Sequence, residues 1–334
     1  MLERNTPVLV TGGAGYIGSH AVLALRDAGF PVAVVDNLTT GFRWAVPGDV
    51  AFYEGDIADD GLIDRIAADH GIGAIMHFAG SIIVPESVAD PMKYYLNNTA
   101  KSRSLIASAV RNKIGHFIFS STAAVYGMPE TSPVAEDDAT NPINPYGTSK
   151  LMTELMLRDT AAAHPINYCV LRYFNVAGAD PGGRAGQSTA GATHLIKVAM
   201  EAALGKREGV AVMGTDYATP DGTGVRDYIH VSDLADAHVA ALRHLISART
   251  ASLTLNAGYS RGFSVLEVLD AVDRVAGVTV KRNPTSRRAG DPDALVADNR
   301  RITRTFGWQP RWDNLDLIIS HALAWERLLL ARRN

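Results

Sequence analysis

An α/β fold, a doubly wound parallel sheet followed by a smaller mixed α/β C-terminal domain, is what this 334-residue sequence predicts. Three observations carry that expectation. A short apolar strand, Val8-Leu9-Val10, runs straight into Thr11-Gly12-Gly13-Ala14-Gly15-Tyr16-Ile17-Gly18 and then into a helical segment. Buried strands and helical stretches alternate from there to Asn175, the pattern of parallel strands joined by crossover helices. Past Asn175 the chain changes character, with a Gly-, Ala- and Pro-rich loop over 178–191 and shorter elements after it. The boundary therefore falls near 176: a dinucleotide-binding unit over 1–176 and a substrate unit over 177–334, with segments near 226–250 returning to the first.

Composition narrows the classes. The chain is 47% apolar and 20% charged with a net charge of -3, ordinary for a soluble globular protein. No strong field favours nucleic acid or an acidic membrane. A single cysteine, Cys169, excludes a disulfide framework and a thiolate metal site, and no metal is expected. The start Met1-Leu2-Glu3-Arg4-Asn5 carries an acid and no long apolar run, so it does not read as a leader. No uncharged apolar run is long enough to span a bilayer, and the expected location is the cytoplasm.

The glycines fit both Gly13-x-Gly15-x-x-Gly18 and Gly12-x-x-Gly15-x-x-Gly18. Such spacing permits a tight turn and lets backbone amides at a helix N-terminus approach a pyrophosphate. Ser19 to Leu25 continue as a helix, which Gly29 ends. The next strand, Val32 to Val35, ends in Asp36. A carboxylate there accepts from adenosine ribose hydroxyls and repels a 2′-phosphate. Asn37 follows, not an arginine, so NAD is favoured over NADP. A third strand, Ala51 to Gly55, leads to Asp56 and Ile57, where a side chain and a backbone amide can face the adenine. Leu62 to His70 is helical, and Ala74 to His77 is a fourth strand leaving through Phe78-Ala79-Gly80, small enough for a cofactor to approach the backbone. His77 reads as a core histidine. Tyr94 to Val110 is a helix containing Asn97 and Asn98; asparagine is a poor helix former, so one of the two should face a polar group.

The stretch from Thr122 to Lys150 carries the chemistry. The apolar strand His116-Phe117-Ile118-Phe119 ends in Ser120-Ser121-Thr122, and a helix then begins near Tyr146-Gly147-Thr148-Ser149-Lys150. Tyr and Lys four apart share a helix face, and an ammonium near a phenol favours the phenolate. Bringing a tyrosine down from its usual value near ~10 by about three units needs roughly 4 kcal/mol, which Lys150 together with the positive ring of an oxidised nicotinamide can supply in a partly dry site. A lone Tyr-x-x-x-Lys is far more often an ordinary helix start; the nucleotide motif upstream reverses that. Tyr168 to Phe174 is a further strand ending at Asn175. Thr122 and Asn175 thus lie at carboxyl strand ends, where open α/β sheets bind ligands. The second half reads as a helix over His194–Leu204, a strand Val210–Met213, a strand Arg226–Val231, a helix capped by Ser232, a strand from Leu253, a helix over Leu266–Ala276, a loop with Arg287, Arg288 and Asp291, and closing helices.

With these residues placed, the chain resembles the extended short-chain dehydrogenase/reductase family, whose sheet is of the Rossmann type, and in particular its members that act on UDP-sugars at C4. The resemblance covers nearly the whole chain and rests on Val10 to His20, Asp36-Asn37-Leu38, Glu54-Gly55-Asp56-Ile57, His77 to Gly80, Leu171-Arg172-Tyr173-Phe174-Asn175, and above all Asp216-Tyr217 with Asp221 to Val231. It implies inversion at C4 of a UDP-hexose through a transient 4-keto sugar, UDP-galactose becoming UDP-glucose. The implied catalytic residues are Tyr146 as base, Lys150 as its partner and Thr122 as the assisting hydroxyl. NAD would be held by Gly12, Gly15, Tyr16, Ile17, Gly18, Asp36, Asn37, Asp56, Ile57, Phe78, Ala79, Gly80, Asn97, Tyr146, Lys150 and Tyr173. The UDP-sugar would meet Thr122, Tyr146, Asn175, His194, Leu195, Met213, Arg226, Arg288, Asp291 and Leu295, with the two arginines on the pyrophosphate, which a guanidinium pairs bidentately.

Three positions depart from the best-known bacterial pattern: Ile82 stands for a lysine near a cofactor phosphate, His194 for an asparagine at the substrate pyrophosphate, and Leu295 for a tyrosine or cysteine in the sugar pocket. The resemblance also implies a homodimer built on the helices Tyr94–Val110 and Leu151–Ala163; Leu151, Leu155, Met156 and Leu105 are available either as its apolar contacts or for the core alone. Other activities fit less well. A 4,6-dehydratase needs an acid–base pair directly after the threonine, and Ala123-Ala124 stand there. A simple reductase prefers NADPH, which Asp36 opposes. A UDP-N-acetylhexosamine or UDP-pentose 4-epimerase stays open, as does, in a different class, a non-catalytic NAD-binding regulator, which would have little need for Tyr146 and Lys150.

Overall fold

The computed structural model describes residues 6–248, 252–288 and 291–333; the N-terminal residues Met1 to Asn5, read above as no leader, lie outside them. Seven strands form one wholly parallel sheet: β1 (Val8–Thr11), β2 (Val32–Asp36), β3 (Ala51–Glu54), β4 (Ala74–His77), β5 (His116–Ser120), β6 (Asn167–Tyr173) and, later in the chain, β10 (Leu253–Ala257), in the order β10-β6-β5-β4-β1-β2-β3. Their apolar runs do not alternate with polar residues because both faces are covered. Helices α1 (Tyr16–Asp27), α2 (Asp60–His70), α3 (Val84–Ala89), α4 (Pro91–Tyr94), α5 (Lys101–Arg111) and α6 (Pro145–Ala163) link these strands. The order reverses at β1 and β4, which opens a crevice at their carboxyl ends.

The remaining elements are β7 (Asn175–Ala177), α7 (Leu195–Ala203), β8 (Val210–Met213), β9 (Val225–His230), α8 (Val231–Ala248), β11 (Gly262–Ser264), α9 (Val265–Ala276), β12 (Arg282–Thr285), β13 (Ala294–Leu295), α10 (Arg300–Phe306) and α11 (Leu315–Arg333). β9 is the spine of a small four-stranded sheet, antiparallel to β11 and parallel to β13 and β7. β8 and β12 form a separate parallel pair. Of the segments near 226–250 expected to rejoin the large sheet, α8 does pack on α1, β5 and β6. β9 does not: it pairs with β7, β11 and β13. Instead β10, just beyond that range, supplies the edge of the large sheet. One apolar core runs unbroken from Val22 and Leu25 on α1 through Leu234 and Leu242 on α8 to Ile196 on α7, Val268 on α9 and Ile319 on α11. A second core fills the opposite face of the sheet, beneath α2, α5 and α6.

Local sequence sets the helix ends. Asn144 caps α6 by accepting from the Gly147 amide at 2.9 Å, and Pro145 occupies the first helical position, where its missing N–H costs nothing. That start fixes Tyr146 one residue into the helix and Lys150 a turn later. Ser264 and Glu267 form a reciprocal capping box on α9. Two expectations fail. Ser232 does not cap α8: the helix already begins at Val231, and the imidazole of His230 receives the Ser232 amide at 3.0 Å. Nor is Tyr94–Val110 one regular helix, because Tyr95–Ala100 is a π-helical stretch between α4 and α5. The widened turn lets Asn98 point inward, where it bonds the Ser81 amide (2.7 Å), the Ser81 carbonyl (2.9 Å) and Ser149 Oγ (3.0 Å). Its polar burial accounts for the irregularity. Leu105 is fully buried in the second core, so it cannot serve as an intersubunit contact. No described helix is long and apolar enough to cross a membrane.

Candidate active site

The glycine turn after β1 is held by its own backbone. Gly12 has φ +69°, and a Cβ there would stand 2.6 Å from the Ala79 amide nitrogen at the end of β4. A Cβ on Gly18 would lie 2.1 Å from the Gly12 carbonyl oxygen. Both positions exclude a side chain, and the turn delivers α1 with no side-chain cap at its N-terminus. The first-turn amides, with Tyr16 and Ile17 among them, are therefore free to donate toward an anion. Asp36 closes the other side of this crevice, accepting from the Ala14 amide (2.9 Å) and the Leu38 amide (2.8 Å), with burial pushing its carboxyl up. Asn37 turns back on Thr39, whose amide and hydroxyl it accepts. Burial pushes the Asp56 carboxyl up, but the Lys101 ammonium at 2.5 Å and the Ala58 amide prevail and hold it below its ordinary value. Ile57 is buried. Phe78 packs against the His238 ring at 4.8 Å, and Asn97 donates to Ser81 Oγ at 3.1 Å, just past Gly80. His77 is a core residue: Thr11 and Ser102 hydroxyls flank it at 2.7 and 2.8 Å, and burial lowers it to about 3.

Just past the end of β5 the Thr122 side chain acts to lower the Tyr146 phenol, and its oxygen accepts from the Ala124 amide at 3.1 Å. Tyr94 stands edge-on to Tyr146 with ring centroids 6.4 Å apart. Lys150, one turn along α6, is buried; its ammonium donates to the Ser120 carbonyl at 3.1 Å and sits 5.0 Å from the Phe119 ring centroid. The expected depression of the tyrosine rests on Lys150 together with an oxidised nicotinamide ring. Among the protein groups, burial raises the Tyr146 phenol and the Thr122 side chain opposes it. The lysine's charge is aimed at Ser120, and desolvation pulls Lys150 itself down to about 8. Tyr173 completes this wall, accepting from Ser120 Oγ at 2.9 Å.

The residues assigned to the UDP-sugar fall into neighbouring groups. Tyr16, Asn175, His194 and Leu195 line one small cavity of about 30 Å³, together with Gln187 and Tyr228. His194 is the residue before α7, and burial lowers its imidazole. Arg226 and Leu295 are register partners of β9 and β13, and the Arg226 guanidinium stands 3.9 Å from Asp291. The Asp291 amide donates to the Arg288 carbonyl at 3.2 Å. Met213 ends β8 opposite Thr285, three residues before Arg288. The model thus places Thr122, Tyr146 and Lys150 together, and Asn175 with His194. It does not bring Met213 or Arg288 into the cavity that Asn175 lines. Sequence reasoning overlooked Gln187, whose Oε1 is buried without a partner, and the buried pair Glu154–Arg172. Glu154 lies four residues past Lys150, so its shared helix face was readable; Gln187 carried no such signal.

A family model described as NAD dependent epimerase/dehydratase family matches residues 8–258. A UDP-glucose 4-epimerase of Azospirillum brasilense is 58% identical over 322 residues, 96% of this chain and 92% of that one. The crystal structure of UDP-glucose 4-epimerase from Brucella ovis in complex with NAD superposes with a TM-score of 0.92 at 44% identity, covering 96% of this chain and 98% of that chain. One from Bifidobacterium longum in complex with NAD+ and UDP gives a TM-score of 0.91 at 38% identity, covering 97% and 98%.

Proposed function

The chain belongs to the NAD dependent epimerase/dehydratase family, and we propose that Tyr146 is the base with which it works as a UDP-hexose epimerase. The enzyme uses NAD and interconverts UDP-galactose and UDP-glucose at C4. The residues present fit that cofactor: the uncapped start of α1 and the side-chain-free glycine turn suit its pyrophosphate, and the buried Asp36 carboxylate suits its adenosine ribose. When bound, NAD supplies the hydride acceptor and donor that C4 requires.

The protein's own work is proton handling and positioning. Tyr146 takes the proton of the sugar 4-hydroxyl and later gives it back, while the Thr122 hydroxyl holds the same oxygen. Lys150 supplies a fixed positive charge a turn away, next to Ser120. Arg226 and Arg288 grip the pyrophosphate while the 4-keto hexosyl group turns to present its other face. Asn175, His194, Leu195, Met213, Asp291 and Leu295 line the rest of the UDP-sugar path. Residues 1–176, with α8 and β10 packed on them, form the cofactor unit, and most of 177–334 form the substrate unit.

The observation that carries this reading is Thr122 at a carboxyl strand end with its side chain acting on the Tyr146 phenol, and Lys150 buried one turn on. Purified protein given UDP-galactose and no added NAD should produce UDP-glucose, because the hydride is returned each cycle and the cofactor need not leave. Absence of product, with NAD present in the protein, would sink it.

The enzyme acts as a cytoplasmic homodimer in galactose metabolism. Support for the dimer is an exposed apolar face over Met92, Leu96, Met152 and Leu155, beside a groove of about 640 Å³. Light scattering should give twice the 35.7 kDa chain mass, and Leu155→Glu should shift it toward the monomer.

A further inference from the structure

Behind Lys150 lies a buried network that the mechanism above does not use. Glu154, one turn further along the same face of α6, is 6% exposed, and Arg172 on β6 is equally buried. Arg172 meets both Glu154 oxygens, at 3.1 and 3.2 Å from Nε and 2.7 Å from Nη2. Ser121 Oγ donates to Glu154 Oε1, and Ser121 is the residue before Thr122. Arg172 Nη1 reaches the Tyr126 hydroxyl at 3.1 Å, which donates to Asn256 on β10 at 2.7 Å. One carboxylate therefore ties the catalytic helix to the ends of β5 and β6.

We propose that Glu154, clamped by Arg172, is a positioning residue that keeps the buried Lys150 in its charged form and holds α6 in register with Thr122. The proposal rests on the reading of Lys150 as the charged partner of Tyr146. An ammonium that is 3% exposed loses most of its hydration, which favours the neutral amine. The neighbours of Lys150 offer little else to oppose this. On its own helix stand Tyr146 and Glu154. β4 contributes His77, which burial keeps neutral, and β6 contributes Tyr173, whose phenol burial raises. His238 on α8, 3.5 Å from Ser120 Oγ, is held down to about 4. Tyr94, against Tyr146, is also raised by burial. β6 also brings the Arg172 guanidinium onto the Glu154 carboxylate. Of these two charges it is the carboxylate, one turn from Lys150 on α6, that acts on the lysine, in the required direction. Arg172 lets that carboxylate be buried, since an unpaired one would be too costly.

The test separates charge from scaffolding. In Glu154→Gln/Arg172→Gln the two amides can still hydrogen-bond and no charge is left unpaired, while Arg172→Lys keeps both charges. Lysine side chains labelled with 13C at Cε are titrated by NMR, and the Lys150 signal is identified as the one that Lys150→Arg removes. The double variant should lower the Lys150 midpoint by about one pH unit, with the basic limb of kcat moving by the same amount. At pH below both limbs its activity should stay near wild type; Arg172→Lys should leave midpoint and limb in place. An unchanged midpoint in the double variant overturns the proposal. So does an equal loss of activity at every pH, which is what a purely structural pair would give. Should the double variant not fold, a midpoint in Arg172→Lys displaced by as much as one unit overturns it, and an unmoved one supports it. A midpoint that moves while the kcat limb does not leaves Glu154 in its role and removes Lys150 from the proton chemistry.

Discussion

The cofactor crevice and the UDP-sugar path are built in opposite ways. In the crevice much of the shaping is local: Gly12 and Gly18 share one turn, Asp36 bonds Leu38 two residues on and Asn37 bonds Thr39, while Ala14 and Ala79 complete it from further along the chain. Along the sugar path, Arg226 meets Asp291 and faces Leu295, and His194 meets Tyr16 and Asn175 only because β7, β9, β13 and α7 converge. The proposed catalytic group joins the two modes, since Tyr146 and Lys150 share a helix but Thr122 arrives from the segment just past β5. Local construction leaves little tolerance for substitution, whereas long-range construction makes specificity adjustable residue by residue.

Four experiments sharpen or break that contrast. Tyr146→Phe, at the junction, should lower kcat by about 10²–10⁴-fold, the usual worth of a positioned proton acceptor. NAD should stay bound, because the crevice is untouched; a variant keeping a tenth of the activity would show that the base lies elsewhere.

Acid should loosen both regions together, since buried neutral histidines occur in each. Burial holds His20 and His238 at about 4 and His77 and His230 at about 3, His230 also feeling His321. Their folded values lie below the unfolded ~6.5, so the stability tied to their neutral forms is fully present above about pH 6.5 and is lost as pH falls toward 4 and below. Each contributes up to about 1.4 kcal/mol per pH unit in that window. Urea midpoints at pH 7.5, 6 and 5 should fall steadily; a flat series would mean these side chains are hydrated in solution.

Gly18→Ala tests the low tolerance of the crevice. Its Cβ would enter the Gly12 carbonyl, and overpacking of this kind costs about 1–3 kcal/mol. A lower melting temperature and loss of copurifying NAD are expected; unchanged NAD content would show that the turn can widen.

The smallest effect belongs to Leu295, half-buried against the cluster of Ala123, Tyr126 and Phe174. A misplaced group in an apolar pocket is worth roughly 10–200-fold in kcat/KM, so UDP-galactose should be preferred to its N-acetylated analogue by that order. Leu295→Ala should narrow the ratio through the N-acetylated substrate alone. If both substrates respond equally, Leu295 lies outside the sugar pocket.

By itself the sequence determined what short-range rules govern. The glycine spacing with a strand before and a helix after, the acid ending β2, and the four-residue step from Tyr146 to Lys150 each specify geometry within one or two turns of chain. They were legible because covalent connection and helix periodicity fix them before any packing occurs. Only the tertiary structure decided which way the Lys150 ammonium points, that Asn98 folds inward through a π-turn, that Leu105 belongs to the core, and that β10 rather than β9 closes the large sheet. The Glu154–Arg172 pair shows the physical reason. Its members are 18 residues apart on a helix and a strand, and what makes them matter is shared burial. Burial is a property of the assembled layers, and it set the direction of the titration of Tyr146 and Lys150 where spacing alone pointed the other way for the tyrosine.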